Sequence, residues 1–345
     1  MTDAQPDAVG AVAAEVDGDW DLTGLPMPRN PGLLDPATPR VRVRTVKDRF
    51  PFPIPNGWFV VASAADLSAG EVRAVRYFGR DLVLYRTEAG SARLVDAYCA
   101  HLGAHLAVGG RVEGDCIRCP FHGWAYDGAS GRCTDIPYGT SERIPARAAV
   151  RAYRTEERGG AVWAWHHLTG GDPFYELPRV PELEDPGWTE PLLREFHIAT
   201  SCQEMAENNH DFAHFQYVHG TETIPDADEH IEGTYKRVRN PGLERETFGL
   251  GLGVVRVPEA LTFVSSVTPV DDDHVHVRWY FTVPRHAGAS AAADFADQFT
   301  AGVTQDIPIW ENKIYRPTPV LTRSEAGIAA HRNWCKQFYS SAVEL

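Results

Sequence analysis

Between Trp58 and His167 the apolar residues come in short runs, GWFVVA, LVLYR, ARLVDAYC and AVWAWHH, separated by Gly, Asp and Ser. Brief runs rich in β-branched and aromatic residues, set between turn formers, predict a small all-β domain. Farther on the pattern lengthens. Around residues 274–283, Val275, Val277, Trp279, Phe281 and Val283 fall on one face and His274, His276, Arg278 and Tyr280 on the other. That alternation predicts a half-buried antiparallel strand. REFHIATSC reads as another strand, and the stretch from about Gln203 to Val218 as a helix. A closing helix is predicted from about Ala291 to Tyr315, where Phe295, Phe299, Val303, Asp306 and Trp310 share one stripe. Strands with segregated helices give an α+β second domain. The proline-rich segment DPFYELPRVPELEDPGW opens it, and the proline-rich N-terminus reads as a poorly ordered arm. The predicted organisation is an arm over 1–48, an all-β domain over 49–168 and an α+β domain over 169–345.

Composition narrows the function classes. The chain has 345 residues, 43% hydrophobic and 23% charged, enough for two domains with their own cores. Its formal net charge of −14 argues against nucleic acid or an anionic membrane as partner. Apolar runs such as VVASAA are far shorter than the roughly 20 residues of a membrane span, and the first residues lack the basic start of a signal peptide. Six scattered cysteines do not make a disulfide framework in a chain this long. The expectation is a cytoplasmic protein.

Candidate chemistry is concentrated in CAHLGAHLAVGGRVEGDCIRCPFHGW, residues 99–124. Cys99 and His101 form C-x-H, and Cys119 and His122 form C-x-x-H. Two facing turns of this kind offer two thiolates and two imidazoles, which suits either a tetrahedral zinc ion or a Rieske 2Fe-2S cluster. His105 reads as a packing or hydrogen-bonding residue, because a two-plus-two site has no room for a third imidazole, and Cys116 and Cys133 read as small buried hydrophobes.

In ENNHDFAHFQYVHG, Asp211, His214 and His219 follow D-x-x-H-x-x-x-x-H. Five residues rotate an undistorted helix by about 140° away from the starting side chain, so His214 and His219 converge only if the helix bulges or ends near Tyr217. A non-haem iron site needs two His and one carboxylate on one face of the metal. Asp306, the only charge on the apolar stripe of the last helix, supplies the carboxylate; a helix cap or a buried ion pair is the competing account of it. Pro308 is expected to loosen that helix. GLGLGV, residues 249–254, precedes a strand-like run and reads as a bulged strand over a cavity, not as a nucleotide loop.

CAHLGA and CPFHGW resemble the cluster-binding loops of Rieske proteins. Together with the second motif, the chain resembles the catalytic (alpha) subunit of the Rieske non-haem iron oxygenases from about Arg49 to Tyr339. The resemblance implies that Cys99 and Cys119 hold one cluster iron and His101 and His122 the other. It implies that His214, His219 and Asp306 hold a mononuclear Fe(II). It further implies a bridging role for Asp211 between a cluster histidine and an iron histidine, and places Asn208 at a position often occupied by Asn. The implied second domain has a helix-grip (START-like) fold, and the implied assembly is a homotrimer in which one chain's cluster serves its neighbour's iron.

PFPIPNGWF, QDIPIWENKIY and HRNWCKQFYS are similar to segments of the 3-ketosteroid 9-hydroxylase oxygenases and sterol 7-desaturases. The expected activity is hydroxylation or desaturation of a bulky apolar polycycle, steroid-like or a natural product, with O2. Electrons would come from an NAD(P)H-dependent reductase, directly or through a ferredoxin. The alternatives are a Rieske dealkylase, an aromatic-ring dihydroxylating oxygenase, or a Rieske electron carrier without a second metal.

Overall fold

The computed structural model describes residues 49–139 and 143–340, so the arm expected over 1–48 lies outside the described residues. The first domain is all-β, as its short apolar runs require. Gly57–Ser63 pairs with Ala161–His166, which pairs with Thr155–Arg158. A second sheet runs in the order Val72–Tyr77, Arg80–Arg86, Ala92–Asp96, Ala152–Tyr153, and a third joins Arg111–Glu113, Cys116–Arg118, Ala125–Asp127 and Cys133–Asp135. Val83, Tyr85, Val95, Leu106, Ile117 and Tyr126 form a dry core beneath the two cysteine–histidine loops.

The second domain is built on a seven-stranded antiparallel sheet. Its order is Leu192–Ile198, Val275–Thr282, Leu261–Pro269, Leu252–Val257, Leu243–Phe248, Tyr235–Asn240 and Asp228–Glu232. The long helix α3 runs from Ala289 to Asn312 and lies against the first two of these strands. Phe295, Val303 and Trp310 of the expected stripe are buried in the core, and Asp306 is buried with them. Pro308 does not end α3, which continues to Asn312.

Three expectations are corrected. The stretch from Gln203 to Val218 is not one helix but two short ones, α1 (Cys202–Glu207) and α2 (Ala213–Tyr217), separated by a break. GLGLGV lines the cavity as expected, through Leu250, Leu252 and Gly253, but it is a strand only in its second half and has no bulge: Gly249–Gly251 form the turn of a hairpin between Leu243–Phe248 and Leu252–Val257. At Gly251 a Cβ would meet the Phe59 ring and the Trp58 carbonyl at 2.5 Å, so the turn must be glycine to press against the first domain. The third correction concerns Val275–Thr282, which is buried on both faces. A fourth helix, α4 (Ala326–Cys335), buries Ile328, His331, Trp334 and Cys335 and was not anticipated.

The polar face of Val275–Thr282 is covered by the first domain. Arg278 donates to the Val60 carbonyl at 3.0 Å, to the Tyr77 hydroxyl at 2.7 Å and to Glu195 at 2.9 Å. His276 Nδ1 meets the Tyr77 hydroxyl at 3.1 Å, and burial, with Arg278 and His197 adjacent, pulls its pKa down to about 3, so it remains neutral. The proline-rich segment is equally fixed. Tyr175 accepts both the Trp58 backbone N–H, at its hydroxyl, and the Trp58 indole N–H, at its carbonyl.

A buried guanidinium with three protein acceptors is expected to matter greatly to stability, because its removal strands the acceptors. Arg278→Met is expected to lower the unfolding free energy of the whole chain by about 3 kcal/mol in urea titration. A change below about 0.5 kcal/mol would show that this contact does not hold the domains together.

Candidate cluster and iron sites

The two loops of the first domain are the same turn made twice. Gly103 N–H donates to the Cys99 carbonyl at 2.9 Å and Gly123 N–H to the Cys119 carbonyl at 3.1 Å. Both glycines have left-handed φ, 75° and 74°, which lets the chain double back over a cysteine. Cys99 and Cys119 are buried, while the His101 and His122 rings stand 4.7 Å apart, centroid to centroid. Burial pushes the Cys119 thiol up, backbone N–H groups of Phe121 and His122 oppose that rise, and the neighbouring Cys99 adds to it. Tyr126 places its hydroxyl 3.0 Å from Cys99 Sγ. His101 lies flat on Trp124, and its Nδ1 is buried without a hydrogen-bond partner. Two crowded thiols and an orphaned imidazole nitrogen fit an inorganic cluster bound between the loops. Cys116 is not buried as expected but half-exposed and facing Thr134, Cys133 is buried and donates to the Asp135 carbonyl, and His105 Nδ1 accepts the Ala107 N–H.

The second constellation assembles because the helix breaks. Residues 208–212 turn the chain between α1 and α2, and α2 ends at Tyr217, freeing His219 to swing back. His214, His219 and Asp306 present ligand atoms that all lie within 4.8 Å of one another. His219 Nε2 is 3.4 Å from Asp306 Oδ2, and its Nδ1 faces Gln305 Oε1 at 3.0 Å. His214 Nδ1 faces the backbone carbonyl of Asp211. Each imidazole thus has one nitrogen engaged by an oxygen, which sets the tautomer and leaves the other nitrogen for a metal. Burial lowers the pKa of His214; at His219 burial acts the same way, but Asp306 and Gln305 outweigh it and the pKa is raised. A carboxylate buried against two imidazoles is short of positive charge, and a divalent cation fits there.

The break is clamped from behind, by Asn208, which the resemblance had marked, and by His210, Lys236 and His331, which sequence reading missed. Asn208 Oδ1 accepts the Trp310 indole N–H at 3.2 Å, tying the break to α3. His210 faces Glu229 at 2.9 Å through Nδ1, while Nε2 receives Lys236 Nζ at 2.8 Å. Lys236 also reaches His331 of α4 at 2.6 Å and sits 4.0 Å from the Trp334 ring centroid. Burial pulls this lysine down to about 8. Glu204 is paired with Lys313 at 2.7 Å and Glu207 with Arg332 at 2.6 Å. Asp211 accepts the His214 backbone N–H at 3.3 Å through Oδ1; its carboxylate makes no bond to the His214 ring, contrary to the expected bridge.

Above His214, His219 and Asp306 lies a cavity walled by Met205, Leu252, Val255, Phe263, Trp279 and Phe299. About 220 Å³ of it is open to the centre of a water molecule. At roughly 10–15 Å³ per water, that is room for a bulky organic molecule and not for O2 alone.

Comparison with known proteins finds relatives of both halves of the chain. Residues 57–153 match the Rieske [2Fe-2S] domain, and residues 164–339 match the 3-ketosteroid 9alpha-hydroxylase C-terminal domain. The chain belongs to the Rieske oxygenases. It is 32% identical to cholesterol 7-desaturase nvd 1 of Ciona intestinalis over 345 residues, covering 87% of this chain and 72% of that one. It is also 32% identical to the oxygenase component of 3-ketosteroid-9-alpha-monooxygenase of Rhodococcus rhodochrous over 326 residues, covering 82% and 83%. The crystal structure of dicamba monooxygenase bound to dicamba shares the fold, with a TM-score of 0.65 at 17% identity over 82% of this chain and 97% of that one. As a Rieske oxygenase the chain is a monooxygenase-type enzyme of a family that uses a Rieske [2Fe-2S] cluster and a mononuclear iron, and it works with a reductase, O2 and a substrate. Among the described residues no helix is long and apolar enough to cross a membrane.

Proposed function

We propose that this oxygenase hydroxylates or desaturates a bulky apolar polycycle, steroid-like in size. The observation that carries the reading is one cavity, lined by Phe263, Trp279 and Phe299, with His214, His219 and Asp306 converging on it. Names of relatives that act on cholesterol and 3-ketosteroids support the same substrate class. In this reading Cys99, His101, Cys119 and His122 hold the cluster, and His214, His219 and Asp306 hold Fe(II). When bound, these groups supply electrons and activate O2. For hydroxylation the balance is R–H + O2 + NAD(P)H + H⁺ → R–OH + H2O + NAD(P)⁺. The protein's share is to orient. Asp211 and Gln305 fix the two imidazoles, the aromatic wall positions the substrate, and its burial keeps bulk water from the reacting carbon.

The working unit we propose is a cytoplasmic homotrimer fed by an NAD(P)H-dependent reductase, directly or through a ferredoxin. Leu102, Phe121 and Tyr138 are exposed beside His101 and His122, an apolar rim suited to a second copy of the chain. All six cysteines are free, which suits a reducing compartment. Asp211, half-buried at the break, offers a carboxylate to the cluster histidine of that neighbour.

Asp306→Ala is expected to keep the visible absorption of the cluster, fall from about three irons per two sulfides to about two, and form no product; normal iron content would remove Asp306 from the ligand set. Gln305→Leu, which frees His219 Nδ1, is expected to weaken iron binding by about 10- to 100-fold in chelator competition without altering cluster absorption. Co-assembly of Cys99→Ala with Asp306→Ala chains is expected to recover activity in mixed trimers. No recovery in verified mixed trimers would contradict electron transfer between subunits.

A further inference from the structure

On the strand Leu243–Phe248, Leu243, Arg245 and Thr247 reach the cavity wall, and Glu246 between them lines it too. The other arginines of this sheet are neutralised. Arg237 pairs with Asp228, Arg239 with Glu244, Arg256 with Glu182 and Glu246, and Arg278 with Glu195. Arg245 is different. Its flanking acids, Glu244 and Glu246, are engaged by Arg239, Arg256 and Tyr235. Among the described residues it forms no ion pair. Its contacts are one hydrogen bond from Nη1 to Asn240 Oδ1 at 2.7 Å and the Phe215 ring, whose centroid lies 5.4 Å from Cζ. Burial lowers its pKa to about 10 with no compensating acid, so the guanidinium stays charged at neutral pH.

Arg245 is half-buried on the cavity wall without a counter-charge, and a guanidinium has five N–H donors in a planar fork. One of those donors is used by Asn240. The fork matches a carboxylate in two parallel hydrogen bonds, a geometry that a lone ketone or hydroxyl cannot complete. We infer that Arg245 receives the carboxylate of an acid-bearing polycyclic substrate. The inference rests on the cavity being the substrate site, as proposed above. It also orients that substrate. Arg245 packs on Phe215, which neighbours His214, and its charge is felt at His219, so the acid end is held on the histidine side of the cavity.

The competing account is that Arg245 only braces Phe215 and α2. Equilibrium dialysis of the holoenzyme against 3-oxo-4-cholenoic acid and its methyl ester separates the two. The wild type is expected to bind the acid at least tenfold more tightly than the ester. Arg245→Met is expected to abolish that preference while leaving ester affinity within twofold, and Arg245→Lys, with charge but no fork, to give an intermediate ratio. If Arg245→Met does not accumulate with its cluster, Arg245→Gln provides the same comparison. Equal binding of acid and ester by the wild type, or a preference that survives in the variant, overturns the inference while the polycyclic substrate class stands. Binding of neither compound overturns that class and the inference with it.

Discussion

Everything at the proposed iron site depends on a helix that is prevented from continuing. An unbroken helix from Cys202 to Val218 would send His214 and His219 in different directions. The break at residues 208–212 removes that conflict, and it persists because its exposed backbone and side chains find partners elsewhere. Asn208 is bound to Trp310, and His210 to Glu229 and Lys236. The last partner is itself costly, a lysine with 1% of its surface exposed, kept in place by two imidazoles and an indole face. α3 thus serves twice. It brings Asp306 and Gln305 to His214 and His219, and through Trp310 it anchors the turn that lets the two imidazoles meet.

Much of this could be read from the sequence, for identifiable reasons. The two cysteine–histidine turns are legible because Cys99, His101 and Gly103, and Cys119, His122 and Gly123, are neighbours in the chain, so spacing alone conveys the shape of each turn. Asp306 is legible because a lone acid on an apolar stripe is conspicuous. The α+β division follows from the change of period. Asp228–Glu232 and Tyr235–Asn240 are harder, since they are polar strands at a sheet edge with no clean alternation.

What stayed hidden was long-range. The alternation in Val275–Thr282 predicts one wet face, and nothing local says that another domain will cover it. His276, Arg278 and Tyr280 look like solvent-facing residues until Tyr77 and the Val60 carbonyl are placed beside them. Lys236 and His331 are 95 residues apart and meet only in the folded chain. The role of Asp211 shows the same limit at short range: spacing puts it beside His214, but the backbone carbonyl, not the carboxylate, faces the ring.

The covered face of Val275–Thr282 bears on how such a chain can be rearranged. Two family descriptions meet near residue 160, which invites the picture of two portable modules joined by a linker. The contacts deny that picture. Detached, the second half would leave the Arg278 guanidinium without two of its acceptors and the Gly249–Gly251 turn without its bed, while the first half would expose Phe59, Tyr77 and Phe78. Grafting a cluster domain from a distant relative onto this catalytic half therefore means transplanting a seam as well as a module, and residues at positions 60, 77, 251 and 278 must travel together.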